Sequence, residues 1–244
     1  MGDELGMPQP LSKVVLNPNI AIDALYVYNY PDFCGQIMRV IAHWAHIDGN
    51  LATILTRMLK ADIEVGAAMY TALSSAEARK SALLAAAKIA LSEIQFLMLR
   101  AVLKTTAHSR SRRNEFAHHV WGVCEQIPDS LLLLHPNIVL AMNVSYRQRV
   151  QELPEGRGVI APKNIDFSKI FVFTATDFQK SVEDASLSEE LFKGLYRVIY
   201  LESEEALNWL LNAPQVRQAL QPMILESSPA TQQRLNQLIA DLSQ

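Results

Sequence analysis

Between Ile37 and Leu59 the apolar residues recur at intervals of three and four: Ile37, Val40, Ile41, Trp44, Ile47, Leu51, Ile54, Leu55, Met58 and Leu59. That spacing lines one face of an α-helix and fits no strand, whose side chains alternate. It predicts an amphipathic helix of about seven turns starting at Asp32, which follows Pro31 and loosely suits an N-cap. Such a helix must bury its stripe against other elements, so the chain is committed to helical packing. Gly49-Asn50 is the point where this helix is expected to loosen.

The following sequence supplies partners. Ile63–Leu73 reads as a second, shorter helix, and Ser74-Ser75 open a third that runs from Ala76 to Lys104. The third is rich in Ala and Leu, with apolar residues nearly all round, as in a helix buried among neighbours. Thr105-Thr106 interrupt it, and His108–Gly122 reads as a fourth. The texture then changes. Leu131–Leu134 and Ile138–Leu140 are short apolar runs, and Lys169–Thr174 is the best strand candidate in the chain. Residues 147–168, with Pro154, Gly156, Gly158 and Pro162, read as a loop. Asp177 is expected to cap a helix to Glu202, followed by pieces at Glu204–Asn212, Pro214–Met223 and Pro229–Leu242.

The expected fold is therefore mainly α: an antiparallel helical bundle with a small antiparallel hairpin or sheet inserted after the fourth helix. Residues 1–30 read as an extended arm whose Ile20, Ile22, Leu25, Tyr26 and Tyr28 are too apolar to stand free in water. Residues 31–202 form the bundle, with the β insertion at about 129–175, and residues 203–244 a helical appendage.

Composition excludes several classes. A net charge of −3 over 244 residues is no general polycation, so any nucleic-acid contact needs a local basic patch. Lys88, Glu93 and Arg100 break the longest apolar stretches, which predicts no transmembrane helix and no membrane partner. The acidic start Met1-Gly2-Asp3-Glu4 has no apolar run, and cytoplasm is the expected compartment. Cys34 and Cys124 read as reduced packing thiols.

The chemistry-bearing segment is Arg110-Ser111-Arg112-Arg113-Asn114-Glu115-Phe116-Ala117-His118-His119-Val120-Trp121-Gly122. On a helix Asn114 and His118 are neighbours, and Arg113 is one step away. A permanent cation, an amide and an imidazole suit work on a phosphodiester. Arg binds phosphate oxygens, His moves a proton near neutral pH, and Asn fixes a tautomer or binds substrate. The packing alternative has Arg113 paired with Glu115, Glu93 or Asp48, and His118 bonded to a backbone carbonyl. Arg100, Lys104, Arg110, Arg112 and Arg113 form a basic run with no acid between Glu93 and Glu115. Arg110, Arg112 and His119 are the expected substrate-binding residues.

A long helix, a basic turn and then Arg113-Asn114, three residues and His118 resemble the HEPN superfamily, whose signature is Arg, four to six residues, then His. His119-Val120-Trp121-Gly122 is similar to the His-Gly-x-Trp texture that follows the motif in many bacterial members, with His119 in place of the Gly. The resemblance covers residues 32–125, with the helix at 177–202 added. It implies a helical bundle, a homodimer, and a metal-independent endoribonuclease without cofactors. Arg113 would stabilise the scissile phosphate and His118 would act as general base or acid. It equally implies the alternative of a non-catalytic module that binds a protein partner or nucleotide.

His43-Trp44-Ala45-His46-Ile47-Asp48 is a second constellation. His43 and His46 share a helix face, but bundle metal sites favour Glu-x-x-His pairs, which this segment lacks, and no metal is expected. The two histidines are expected to flank Trp44 and bond locally, and Asp48 to be available to orient His118.

Overall fold

A computed structural model describes residues 7–152 and 165–242. The chain is mainly helical with a small antiparallel sheet, as expected. The helices are α1 (Leu11–Val14), α2 (Pro31–Leu59), α3 (Ile63–Ala72), α4 (Ala76–Ala90), α5 (Glu93–Thr105), α6 (Ala107–His118), α7 (Pro136–Glu152), α8 (Ala175–Tyr200), α9 (Glu204–Asn212), α10 (Pro214–Leu225) and α11 (Pro229–Asp241). The strands are β1 (Gln9–Pro10), β2 (Ile20–Ile22), β3 (Val120–Cys124), β4 (Leu131–Leu134) and β5 (Ile170–Phe173).

Helix α2 carries the long stripe. Ile37, Val40, Trp44, Ile47, Leu51, Ile54, Leu55 and Met58 are all buried, whereas Leu59 at its end is exposed. The helix runs through Gly49-Asn50 without the expected loosening.

Where one helix was expected from Ala76 to Lys104, there are two. Leu91 closes α4, and Ser92 starts α5 with a capping box: the Ser92 N–H donates to Gln95 Oε1 at 3.1 Å, and the Gln95 N–H donates back to Ser92 Oγ at 3.3 Å. Two orphan donors are satisfied, which favours a fresh helix start over continuation. The start of α8 is similar. Thr174, one residue before the helix, donates its N–H to Asp177 Oδ2 at 2.8 Å, so Asp177 completes the cap from inside the first turn and is not itself the cap.

The fourth helix stops at His118, four residues short of its expected end. Val120–Cys124 instead forms β3, in the sheet order β1-β5-β4-β3-β2, with every neighbouring pair antiparallel. Gly122 permits this, because a Cβ there would meet the Ala21 carbonyl oxygen at 2.8 Å. Both edge strands come from the segment expected as an arm, which therefore packs on the sheet. Pro10 falls on an edge, where its missing N–H is harmless. Ile138–Leu140 was expected within the β region but lies in α7, whose first residue is Pro136. The expected loop at 147–168 is helical to Glu152, and its part at 153–164 lies outside the described residues.

The chain forms two compact units, Met1–Ile41 with Ser111–Glu183, and Ala42–Arg110 with Asp184–Gln244. In the first, one sheet face carries Leu132, Leu134, Ile170, Val172 and Cys124 in a core with Leu11, covered by Ile138, Val139 and Met142 of α7. Cys124 is a buried free thiol, the packing role expected of it. The opposite face turns Trp121 and Phe173 towards Phe116 and Phe178.

The second unit packs α10 along α5, with Trp44 edge-on to Phe192. Residues 203–244, expected as an appendage, belong to this unit together with α3–α5. Helix α3 approaches α2 at Gly66, where a Cβ would lie 2.0 Å from Thr56 Oγ1 and 2.6 Å from Thr56 Cβ. Nothing lies within 4 Å of a Cβ at Gly49. Gly66→Ala is expected to lower the unfolding free energy by about 1–3 kcal/mol through overpacking. Gly49→Ala is expected to raise it by about 0.5–1 kcal/mol, because it removes backbone freedom from the unfolded chain at no steric cost. Urea unfolding followed by circular dichroism measures both.

Candidate functional site

Helix α6 carries all the expected catalytic residues. Phe116 fixes its orientation. Its buried ring lies 5.4 Å from Phe173, 5.6 Å from Phe178 and 5.8 Å from Trp121, between centroids. Phe33 continues the cluster by stacking on Phe178 at 4.7 Å. With Phe116 towards the sheet, helical geometry turns Arg112, Glu115 and His119 to the same side. Asn114 and His118 fall nearly half a turn from Phe116.

The six expected site residues therefore do not form one cluster. Arg113 Nη1 donates to Asn114 Oδ1 at 3.0 Å, and the buried Arg113 Nε has no acceptor among the described residues. None of the expected acidic partners takes Arg113. Glu115 receives Arg112 Nη1 at 2.7 Å, Glu93 receives Ser228 and Thr231, and Asp48 receives the Tyr70 hydroxyl at 3.1 Å with Arg79 Nη1 at 3.7 Å. Asp48 is thus held by Tyr70 and Arg79 rather than kept for His118. Burial, then the charge of Asp48 and its hydrogen bond, push the Tyr70 phenol well up.

His118 closes α6 with its side chain exposed, not bonded in a core. Arg110 lies over the Trp44 ring at 5.7 Å, and Trp44 Nε1 donates to Ser109 Oγ at 3.0 Å.

Arg112 and His119 line a groove of about 360 Å³ between α6 and the β1 edge, together with Lys13, Glu115, Phe171 and Gln9. The Arg112 guanidinium lies 4.8 Å from the Phe173 centroid. The His119 ring meets His135 edge-on at 5.0 Å, and the His119 backbone N–H donates to the Glu115 backbone carbonyl at 2.8 Å. Burial holds the His119 imidazole below its ordinary range. Glu115 acts against that shift, whereas His135, His118 and Arg112 add to it. Lys13 and Phe171 were not expected in a site. Phe171 lies in the expected strand Lys169–Thr174 and is 41% exposed.

His43 and His46 do more than flank Trp44. His43 Nδ1 donates to Glu189 Oε2 at 2.5 Å, His46 Nδ1 approaches Oε1 at 3.4 Å, and Lys193 Nζ donates to Oε1 at 3.0 Å. Burial of Glu189 acts to raise its pKa, but the bonds from His43, Lys193 and His46 outweigh it and hold the carboxyl at about 2. Among the described residues no group of three His, Cys, Asp or Glu side chains is placed to hold a metal ion, and no helix is long and apolar enough to cross a membrane.

A scan against family models and searches of curated proteins and of solved structures find nothing that matches the chain.

Because the folded carboxyl is depressed, the Glu189 cluster stabilises the chain above the ordinary carboxylate range. That stability is lost as pH falls from about 4.5 towards about 2. Glu189→Gln is expected to cost about 1–3 kcal/mol at pH 7 and to flatten the stability profile in that acid window. Thermal melts from pH 2 to 7 measure both.

Proposed function

We propose that this is a HEPN-like protein of the cytoplasm that acts, as a homodimer, as a metal-independent endoribonuclease without a cofactor. The observation that carries this reading is the arrangement on the last two turns of α6. An exposed imidazole, His118, shares a helix with a guanidinium, Arg113, that Asn114 holds through one terminal nitrogen. An exposed imidazole is open to a large substrate, and a guanidinium steadied by an amide is ready to receive phosphate oxygens.

In this reading His118 takes the proton from a ribose 2′-hydroxyl. The 2′-oxygen bonds to phosphorus, the bond to the 5′-oxygen breaks, and that oxygen leaves with a proton from water. The products are a 2′,3′-cyclic phosphate and a 5′-hydroxyl. Arg113 stabilises charge on the phosphoryl oxygens during the exchange. Arg112, Arg110 and His119 are proposed to contact RNA outside the scissile position.

His118→Ala and Arg113→Ala are each expected to slow cleavage of single-stranded RNA by about 10²-fold or more, with chelator leaving the wild-type rate unchanged. Wild-type cleavage that persists in both variants would refute the assignment. RNA binding without cleavage in the wild type would instead support the binding-module alternative.

A further inference from the structure

The groove beside α6 holds Arg112 and His119, proposed above to contact RNA, and what it binds deepens that reading without depending on cleavage at His118. Its floor is the sheet face that carries Leu133, Phe171 and Phe173, and its walls are α6 and the chain from Met7 through Lys13. Register places Phe171 opposite Pro10 on one side and Leu133 on the other. Leu133 and Phe173 are buried, whereas Phe171 keeps 41% of its surface exposed. A half-exposed phenyl ring on a sheet, within a concave wall, is a platform for a flat ring.

The polar groups are arranged around that platform. Arg112 has only 14% of its side chain exposed and is fixed between Glu115 and the Phe173 ring. One of its five N–H donors is committed to Glu115. Lys13 is an exposed ammonium with no acidic partner among the described residues. Glu115 offers carboxylate acceptors, although they already receive Arg112 and Ser111. The formal charges of Lys13, Arg112 and Glu115 sum to one positive charge, which matches one phosphate better than a polyphosphate. The volume of about 360 Å³ lies at the small end of ligand sites, which span roughly 300–1,000 Å³. That suits one nucleotide better than a dinucleotide.

We propose that this groove binds a single nucleotide, with the base stacked on Phe171, the phosphate held by Lys13 and Arg112, and base N–H groups facing Glu115. The nucleotide comes either as a free nucleoside monophosphate or as one unit of a single-stranded RNA; the recognising chemistry is the same. The groove lies about a third of a turn of α6 from Asn114 and His118, so its occupancy does not require those residues to react.

The test is calorimetric titration of the full chain with GMP, AMP, guanosine, inorganic phosphate and a short single-stranded RNA. Wild type, Phe171→Leu, Lys13→Ala and His118→Ala are compared, with thermal melts to verify folding. Phe171→Leu keeps an apolar side chain and loses the stacking face. It is expected to weaken nucleotide binding by about 5- to 100-fold, the loss of one base stack. Lys13→Ala is expected to weaken GMP and AMP but not guanosine, and His118→Ala, outside the groove lining, to leave binding of GMP and AMP unchanged. Binding of the monophosphates identifies the free nucleotide as a sufficient ligand. Binding of RNA alone, weakened by Phe171→Leu, identifies the strand. No binding of any of these at millimolar concentration, or binding that Phe171→Leu and Lys13→Ala both leave intact, overturns the proposal whether or not His118 cleaves.

Discussion

The candidate site depends on one buried ring. Phe116 is the apolar anchor of a helix segment that is otherwise charged, and its contacts with Trp121, Phe173 and Phe178 decide which way that segment faces. Burying a Phe side chain contributes about 1.5–3 kcal/mol, and each well-oriented aromatic pair about 0.5–1.5 kcal/mol more. The partly buried Arg112–Glu115 pair, by contrast, joins two residues of the same helix and turns with it, so it does not set which way the helix faces. Packing therefore sets the orientation, and the charges follow it. Arg112, Glu115 and His119 are turned to the sheet side because they share a face with Phe116, and His118 is left to solvent because it does not.

The sheet that receives Phe116 is assembled from distant parts of the chain. β3 and β4 are close in sequence, β5 comes after α7, and both edges come from the N-terminal segment. Phe171 pairs with Pro10 of β1 in the plane of the sheet and keeps its ring partly exposed on the sheet face, where the groove lies.

Much of the fold was legible in the sequence where a physical signal is local. The α2 stripe, the positions of α9 to α11 and the β5 run all follow from periodicity or from prolines at first turns. The division between α4 and α5 was also locally encoded, in Ser92 and Gln95, but high helix propensity on both sides conceals it. The end of α6 was not readable in that way. Val120, Trp121 and Gly122 continue an apolar helical pattern as well as they start a strand, and what decides is pairing with β2 and β4, about a hundred and about ten residues away. At the site, the i,i+4 relation of Asn114 and His118 was legible, and so was the basic run. The separation of Arg112 and His119 from His118 was not, because it depends on which residue of α6 is buried. Lys13 and Phe171 carry no local signal, since they meet only through the tertiary fold.

The orientation of α6 is open to a direct measurement on its two adjacent histidines. Brief labelling with diethyl pyrocarbonate, read by fragment-resolved mass spectrometry, reports how readily each imidazole reacts. His118, exposed on the solvent side, is predicted to label faster than His119, half-buried against the groove and His135. Equal labelling of the two, or faster labelling of His119, would contradict the account of Phe116 as the residue that orients the site.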